Sequence, residues 1–110
     1  MHRAPRGIAY RKIAEKSSIA PVEVDYVPVS RGMQLQAHLH RKSNAFCIIL
    51  EGSGTVMLGK KTRKVRKADT IDIPAGTWHS FKASKKTGMV FLSIQYPPIK
   101  EDYLFGASKR

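Results

Sequence analysis

Apolar residues recur along this chain with the two-residue period of β-strands, and no long stretch carries the period of a helix. Val22-Glu23-Val24-Asp25-Tyr26-Val27 alternates apolar and polar residues in the manner of a half-buried strand. Met33 to His40 alternates less cleanly, with polar side chains on both faces. Phe46-Cys47-Ile48-Ile49-Leu50 is a continuous apolar run of strand length that ends at Glu51-Gly52-Ser53-Gly54, where glycines permit a tight bend or bulge. Thr55 to Leu58 and Thr62 to Arg66 flank Gly59-Lys60, which predicts a hairpin, and Thr70 to Ile73 and Val90 to Gln95 supply two more strands. Short strands at this number and spacing predict an all-β sandwich or barrel.

The pattern also sets boundaries. Residues 1–20 are basic and weakly patterned, and read as a mobile arm, a strand exchanged with a partner subunit, or, less readily, a targeting segment. Residues 21–98 hold the strands. Pro97-Pro98 cannot continue a central ladder, so residues 99–110 form a tail in which Tyr103-Leu104-Phe105 either packs back on the barrel or frames its mouth.

Composition narrows the class. With 110 residues the chain suffices for one domain, and its 42% hydrophobic and 8% aromatic content argues against global disorder. No apolar run reaches the roughly 20 residues that span a bilayer. Residues 1–20 contain no signal-peptide core, so a cytoplasmic protein is expected. The lone Cys47 excludes an internal disulfide and fits a reducing compartment. Twenty Lys plus Arg against eight Asp plus Glu leave a formal charge of +12, which points to an anionic partner: nucleic acid, an anionic surface, or a phosphorylated or carboxylated small molecule. Charge alone also serves solubility.

The chemistry concentrates in histidines. His38 and His40 lie one residue apart, so on a strand their rings share a face, and a third imidazole from a distant strand would complete a three-point metal grip. Gly32, five residues, His38-Leu39-His40, Ala45 and Gly52 resemble the first motif of the cupin family, glycine-x5-His-x-His-x3,4-Glu-x6-glycine. Ala68, Pro74, Gly76, His79 and Ala83 resemble the second, glycine-x5-Pro-x-Gly-x2-His-x3-Asn. The likeness covers roughly Pro21 to Pro98 and implies a double-stranded β-helix, the jelly-roll barrel of small cupins, with a homodimer as the expected assembly. Ala68 and Ala83 depart at positions that are not ligands. Ala45 is the departure that matters, because in the full pattern this residue is a glutamate that binds the metal; Asn44 beside it is aimed to the other face by strand alternation.

The resemblance therefore carries over a metal site of His38, His40 and His79 only. Three neutral imidazoles leave a divalent ion its full charge and several open positions, favouring anionic or chelating ligands and shifting preference from manganese toward iron, nickel, copper or zinc. Three-histidine cupins include dioxygenases, and a dioxygenase acting on a small anionic or chelating substrate is the leading expectation. A non-catalytic small-ligand cupin and a zinc- or nickel-dependent isomerase or lyase are the alternatives; no residue reads as a persuasive general base.

Alternation adds cavity candidates for substrate binding. Gln36 shares a face with His38 and His40, Phe81 shares one with His79, and Cys47 follows Ala45 inward, although a small buried hydrophobe is the commoner role of a free cysteine. Gln95 and Ser93 lie on a later strand with no face assigned. Trp78 reads as packing or dimer contact. Six of the eight residues from Lys60 to Lys67 are cationic, on both sides of one strand and without aromatics, so a solvated edge is the first reading and phosphate-backbone binding the lesser one.

Overall fold

A computed structural model describes residues 2–3, 9–15, 21–98 and 102–106. Ten strands follow in chain order: β1 (His2–Arg3), β2 (Ala9–Glu15), β3 (Glu23–Val29), β4 (His38–His40), β5 (Asn44–Leu58), β6 (Lys61–Arg66), β7 (Thr70–Ile73), β8 (His79–Ala83), β9 (Met89–Tyr96) and β10 (Tyr103–Phe105). All pairings are antiparallel, and the described residues contain no helix long and apolar enough to cross a membrane.

The strands form one curled sheet of two faces. In the first face the order is β1-β2-β3-β9-β5-β7; in the second, β6-β5-β8-β4-β10. β5 belongs to both. Its first half, Asn44 to Gly52, pairs with β9 and β7, and its second half, Ser53 to Leu58, pairs with β6 and β8. The glycines after Leu50 thus bend a strand of 15 residues rather than end it. A ladder irregularity between Ile49 and Glu51 marks the turning point. Gly52 sits at φ +75, and a Cβ there would strike the Gly88 carbonyl, while a Cβ on Gly54 would strike the carbonyl of Lys82.

Inward residues of both faces make one core. Val27, Val29, Ile49, Met89 and Phe91 come from the first face, and Val56, Val65, Phe81 and Ala83 from the second. Phe81 and Phe91 stack across the barrel with centroids 4.2 Å apart. Each of these side chains larger than alanine contributes about 1.5–3 kcal/mol by leaving water. β3 is phased with Asp25, Val27 and Val29 inward. Period two separates two faces without saying which is buried, so the acid at Asp25 is an inward residue that the sequence pattern does not reveal.

The segment expected to be an arm carries β2, which adds to the edge of β3 with Arg11 opposite Tyr26 and its guanidinium 5.0 Å from that ring. Backbone pairing needs no apolar pattern, which is why the sequence does not announce this strand. Apart from β1, the remainder of the arm and the end of the tail lie outside the described residues.

Candidate metal centre

β4 presents His38 and His40 inward with Leu39 between them turned away. β8 presents His79 directly opposite His38 in the ladder. The turn that delivers β8 is built for this approach: Gly76 adopts φ +81 and donates its amide to the His40 carbonyl at 2.7 Å, and the Ala75 amide is held by Asn44 Oδ1 at 3.0 Å. Asn44 therefore braces the turn from outside while Ala45 faces the cavity.

The imidazole atoms able to bind an ion all lie within 4.8 Å of one another. Two nitrogens bound at about 2.1 Å to one ion stand at most about 4.2 Å apart, so small rotations of the rings suffice to converge them. Ring centroids are 4.3 Å apart for His38 and His79, 5.2 Å for His38 and His40, and 5.3 Å for His40 and His79.

Hydrogen bonding settles two tautomers. His38 Nδ1 lies 3.1 Å from the Gln36 carbonyl and His79 Nδ1 3.0 Å from that of Thr77. A carbonyl only accepts, so each Nδ1 carries the proton and each Nε2 keeps its lone pair for coordination. The buried Nδ1 of His40 has no hydrogen-bond partner. Such an orphan is costly in a packed fold, and an ion, a ligand or a water at this nitrogen would satisfy it.

Burial holds all three rings neutral. It lowers His38 against the pull of the Gln36 carbonyl. It lowers His40 to about 4, with His38 pushing the same way and Asp102 opposing. It lowers His79 to about 3, helped by His38 and His40 and opposed by the Thr77 carbonyl. Neutral imidazole is the ligand form, so near pH 7 the site needs to release no proton before it can coordinate. The donor set fits a divalent transition ion.

The histidines line one end of a small cavity of about 50 Å³. At roughly 10–15 Å³ for each water-sized occupant, it holds only about three to five. Cys47, Phe81 and Gln95 line it with Ala45, Asp25 and Ser93. Gln36 does not. Its amide donates to the Gly106 carbonyl at 2.8 Å, and Leu35 lines the cavity in its place. Strand geometry begins only at His38, so the two-residue alternation that grouped Gln36 with the histidines does not extend back to it. Burial pushes the Cys47 thiol up to about 12, with Ser93 opposing, so this sulfur stays protonated.

β10 is the tail segment read as packing back on the barrel or framing its mouth, and it brings to the site a residue not among the cavity candidates, Tyr103. Tyr103 pairs with His40 and Phe105 with His38, and the Tyr103 ring lies 5.1 Å from the His40 ring. Asp102 anchors the strand: its Oδ2 accepts the amides of Lys42 and Ser43 at 2.8 Å each, immediately after His40. The run Tyr103-Leu104-Phe105 is its signal in the sequence. Trp78 is 36% exposed beside the turn and its ring lies against Gly106.

The sequence matches the model of the Cupin_2 family, described as a cupin domain, over residues 26–95. The chain is a cupin. Among solved structures this cupin is similar to a double-stranded β-helix protein from Klebsiella pneumoniae, with TM-score 0.81 and 13% identity over 97% of this chain and 90% of that one. It is also similar to a cupin-like protein from Thermotoga maritima, with TM-score 0.80 and 18% identity over 98% and 88% of the two chains. These likenesses concern the fold. An uncharacterized protein of Methanocaldococcus jannaschii is 34% identical over 76 residues, which are 69% of this chain and 59% of that protein. This cupin thus spans about three-fifths of its curated relative.

Proposed function

We propose that this cupin binds a divalent transition metal through His38, His40 and His79 and acts as a dioxygenase on a small anionic or chelating substrate. The observation that carries the reading is the donor set: three buried neutral imidazoles converge where Ala45, 3% exposed, lines the cavity without a carboxylate. Such an ion, when bound, would supply Lewis acidity and, if iron, dioxygen activation.

The chain's own residues divide the remaining work. The Gln36 and Thr77 carbonyls fix the ring orientations of His38 and His79. Phe81 and Phe91 exclude water from the cavity, and Gln95 and Ser93 offer hydrogen bonds that would orient a substrate of a few heavy atoms. Cys47, protonated, is a wall. Tyr103 covers the histidine end.

Metal analysis of protein purified without chelators, then oxygen uptake by the iron(II)-loaded protein with small thiol, diketone and hydroxy-acid carboxylates, tests the proposal. The expectation is one bound metal per chain, substrate-dependent uptake, and loss of both in His40→Ala. Failure of any metal to bind would overturn it. A second reading, isomerase or lyase chemistry with zinc or nickel, draws support from Asp25, a buried carboxylate on the cavity wall that could accept a proton; turnover without oxygen consumption would favour it. We further propose a homodimer through the outer side of β3, β9 and β5, where Val24, Ile94 and Phe46 form one cross-strand row and Tyr26, Leu92 and Ile48 another. A monomeric mass in solution would exclude that assembly.

A further inference from the structure

The charge that the metal centre does not use is concentrated on one outer surface. In β6 only Val65 is buried, so Thr62, Lys64 and Arg66 point outward from the barrel, while Lys61 and Arg63 share the parity of Val65. The ladders continue that outward face. Lys64 stands opposite Thr55, and Thr55 opposite Lys82 of β8. Arg66 stands opposite Ser53, whose carbonyl accepts the Ser84 amide at 2.9 Å. Residues directly opposite in antiparallel strands share a face, so three strands present two adjoining rows, Lys64-Thr55-Lys82 and Arg66-Ser53-Ser84. Lys85 and Lys86 follow on the exposed turn after Ser84.

An open groove runs between these rows, lined by Ser53, Thr55, Lys64, Arg66 and Ser84 with the inward-phased Gly54 and Val65 beneath. Gly54 lies opposite Val65 and Ala83 on the inward parity, and the close approach of the Lys82 carbonyl excludes a Cβ there. One acid, Asp69, touches the groove, and its Oδ2 is occupied by the Arg66 amide at 2.9 Å. Among the described residues no carboxylate pairs with Lys64, Lys82, Lys85 or Lys86.

We propose that this outer face of β6, β5 and β8 binds the sugar-phosphate backbone of a nucleic acid. Lysine, arginine and serine or threonine hydroxyls are the groups that contact phosphates, and the groove offers all of them without an aromatic ring for base stacking. Binding is therefore independent of sequence and governed by release of counterions. A lipid surface fits less well. Firm membrane docking adds apolar side chains that insert to the attraction of the cations, and the two rows here contain none.

The test is fluorescence anisotropy of a labelled random 20-mer, single-stranded and duplex, titrated with the full chain from about 50 to 200 mM salt. Four phosphate contacts give a slope of log affinity on log salt of about −2.8 for the single strand and about −3.6 for the duplex, or about a 50-fold and about a 150-fold loss across that range. The triple variant Lys64→Ser, Arg66→Ser, Lys82→Ser is expected to bind at least tenfold more weakly at 50 mM salt with a slope near −1. A control removing as many charges at the metal-site end, Arg41→Ser, Lys42→Ser, Lys60→Ser, is expected to keep the wild-type slope. Equal losses in both variants would show that net charge and not this face is responsible, and would overturn the proposal, as would unchanged binding by the first variant. Tighter retention on phosphatidylserine vesicles than on either nucleic acid would overturn it in favour of a membrane. Unchanged thermal unfolding and metal content certify that each variant is folded.

Discussion

Removing the Asp102 carboxylate should loosen the cover of the metal centre and lower global stability together. Asp102 is 5% exposed, and burial by itself would raise its carboxyl; the amides of Lys42 and Ser43 outweigh that and hold it below the ordinary carboxylate value. Each hydrogen bond to a charged acceptor is worth about 1.5–3 kcal/mol, so the pair contributes about 3–6 kcal/mol. Lys42 is exposed and its amide can turn to water, whereas Ser43 is fully buried, so the lower end of that range applies. Asp102→Ala should therefore cost about 3 kcal/mol, which in a chain of this size is a fall in Tm of roughly 12 °C. Asp102→Asn keeps an acceptor without its charge and should cost about half as much.

The pH dependence has a defined sign. A carboxyl depressed in the folded state stabilises fully above its unfolded value of about 3.9, and that stabilisation is lost as pH falls through the lower folded value. The gap between wild type and Asp102→Asn should thus be constant from pH 7 to 5 and close only in strong acid. Scanning calorimetry supplies the magnitudes. Histidine NMR titrations supply the local readout, since detachment of Tyr103 and Phe105 rewets His40 and His38 and lets their pKa values climb toward 6.5. A Tm drop under about 4 °C in Asp102→Ala, or histidine titrations unchanged by it, would refute the argument.

Ala45→Glu should shift metal preference toward manganese by adding an anionic oxygen donor, read by competition between manganese and zinc; unchanged selectivity would mean that the side chain does not reach the ion. The four heavy atoms it adds beyond Cβ also consume most of a cavity of about 50 Å³, so substrate binding should weaken at the same time. Ala68 holds φ 76, a left-handed conformation that costs a non-glycine residue about 1–2 kcal/mol, so Ala68→Gly should raise stability by about 0.5–1 kcal/mol after the entropy of the unfolded glycine is subtracted; a lower urea midpoint would contradict this. In the metal-free protein the imidazoles, lowered to about 4 for His40 and about 3 for His79, bind protons first in the unfolded chain. Stability should therefore decline as pH falls below about 6.5, by at most about 2–3 kcal/mol per ring at pH 4.5, and saturating zinc should oppose the decline; urea midpoints equal at pH 7 and 4.5 would exclude it.

Much of the barrel was legible because its signals are local. The alternating and continuous apolar runs, the Gly59-Lys60 turn and the spacing from His38 to His79 depend on neighbours a few residues apart. What escaped depends on pairing between distant segments. Gln36 was grouped with the histidines by a parity that fails where no strand exists, and Asp25 lay on the face of β3 that composition alone would turn to solvent. Tyr103 reaches the site only because Asp102 ties the tail to the turn after His40. Likewise, cations on β6 look indiscriminate in sequence, and a coherent surface emerges only when Lys82 arrives from β8.

The strand shared by both faces has a further consequence for how the protein comes apart. Every residue of β5 from Asn44 to Leu58 except Leu50, which falls at the ladder irregularity, is paired on at least one side, and its partners β6, β7, β8 and β9 are all drawn from later in the chain. Neither face can therefore open while the other stays closed without fracturing β5 at Gly52 to Gly54, where carbonyls of β8 and the Gly88 turn press closest. Unfolding should be a single cooperative event, and its reverse slow, because only β6 lies next to β5 in the chain, and the pairings with β7, β8 and β9 have to wait for segments tens of residues downstream.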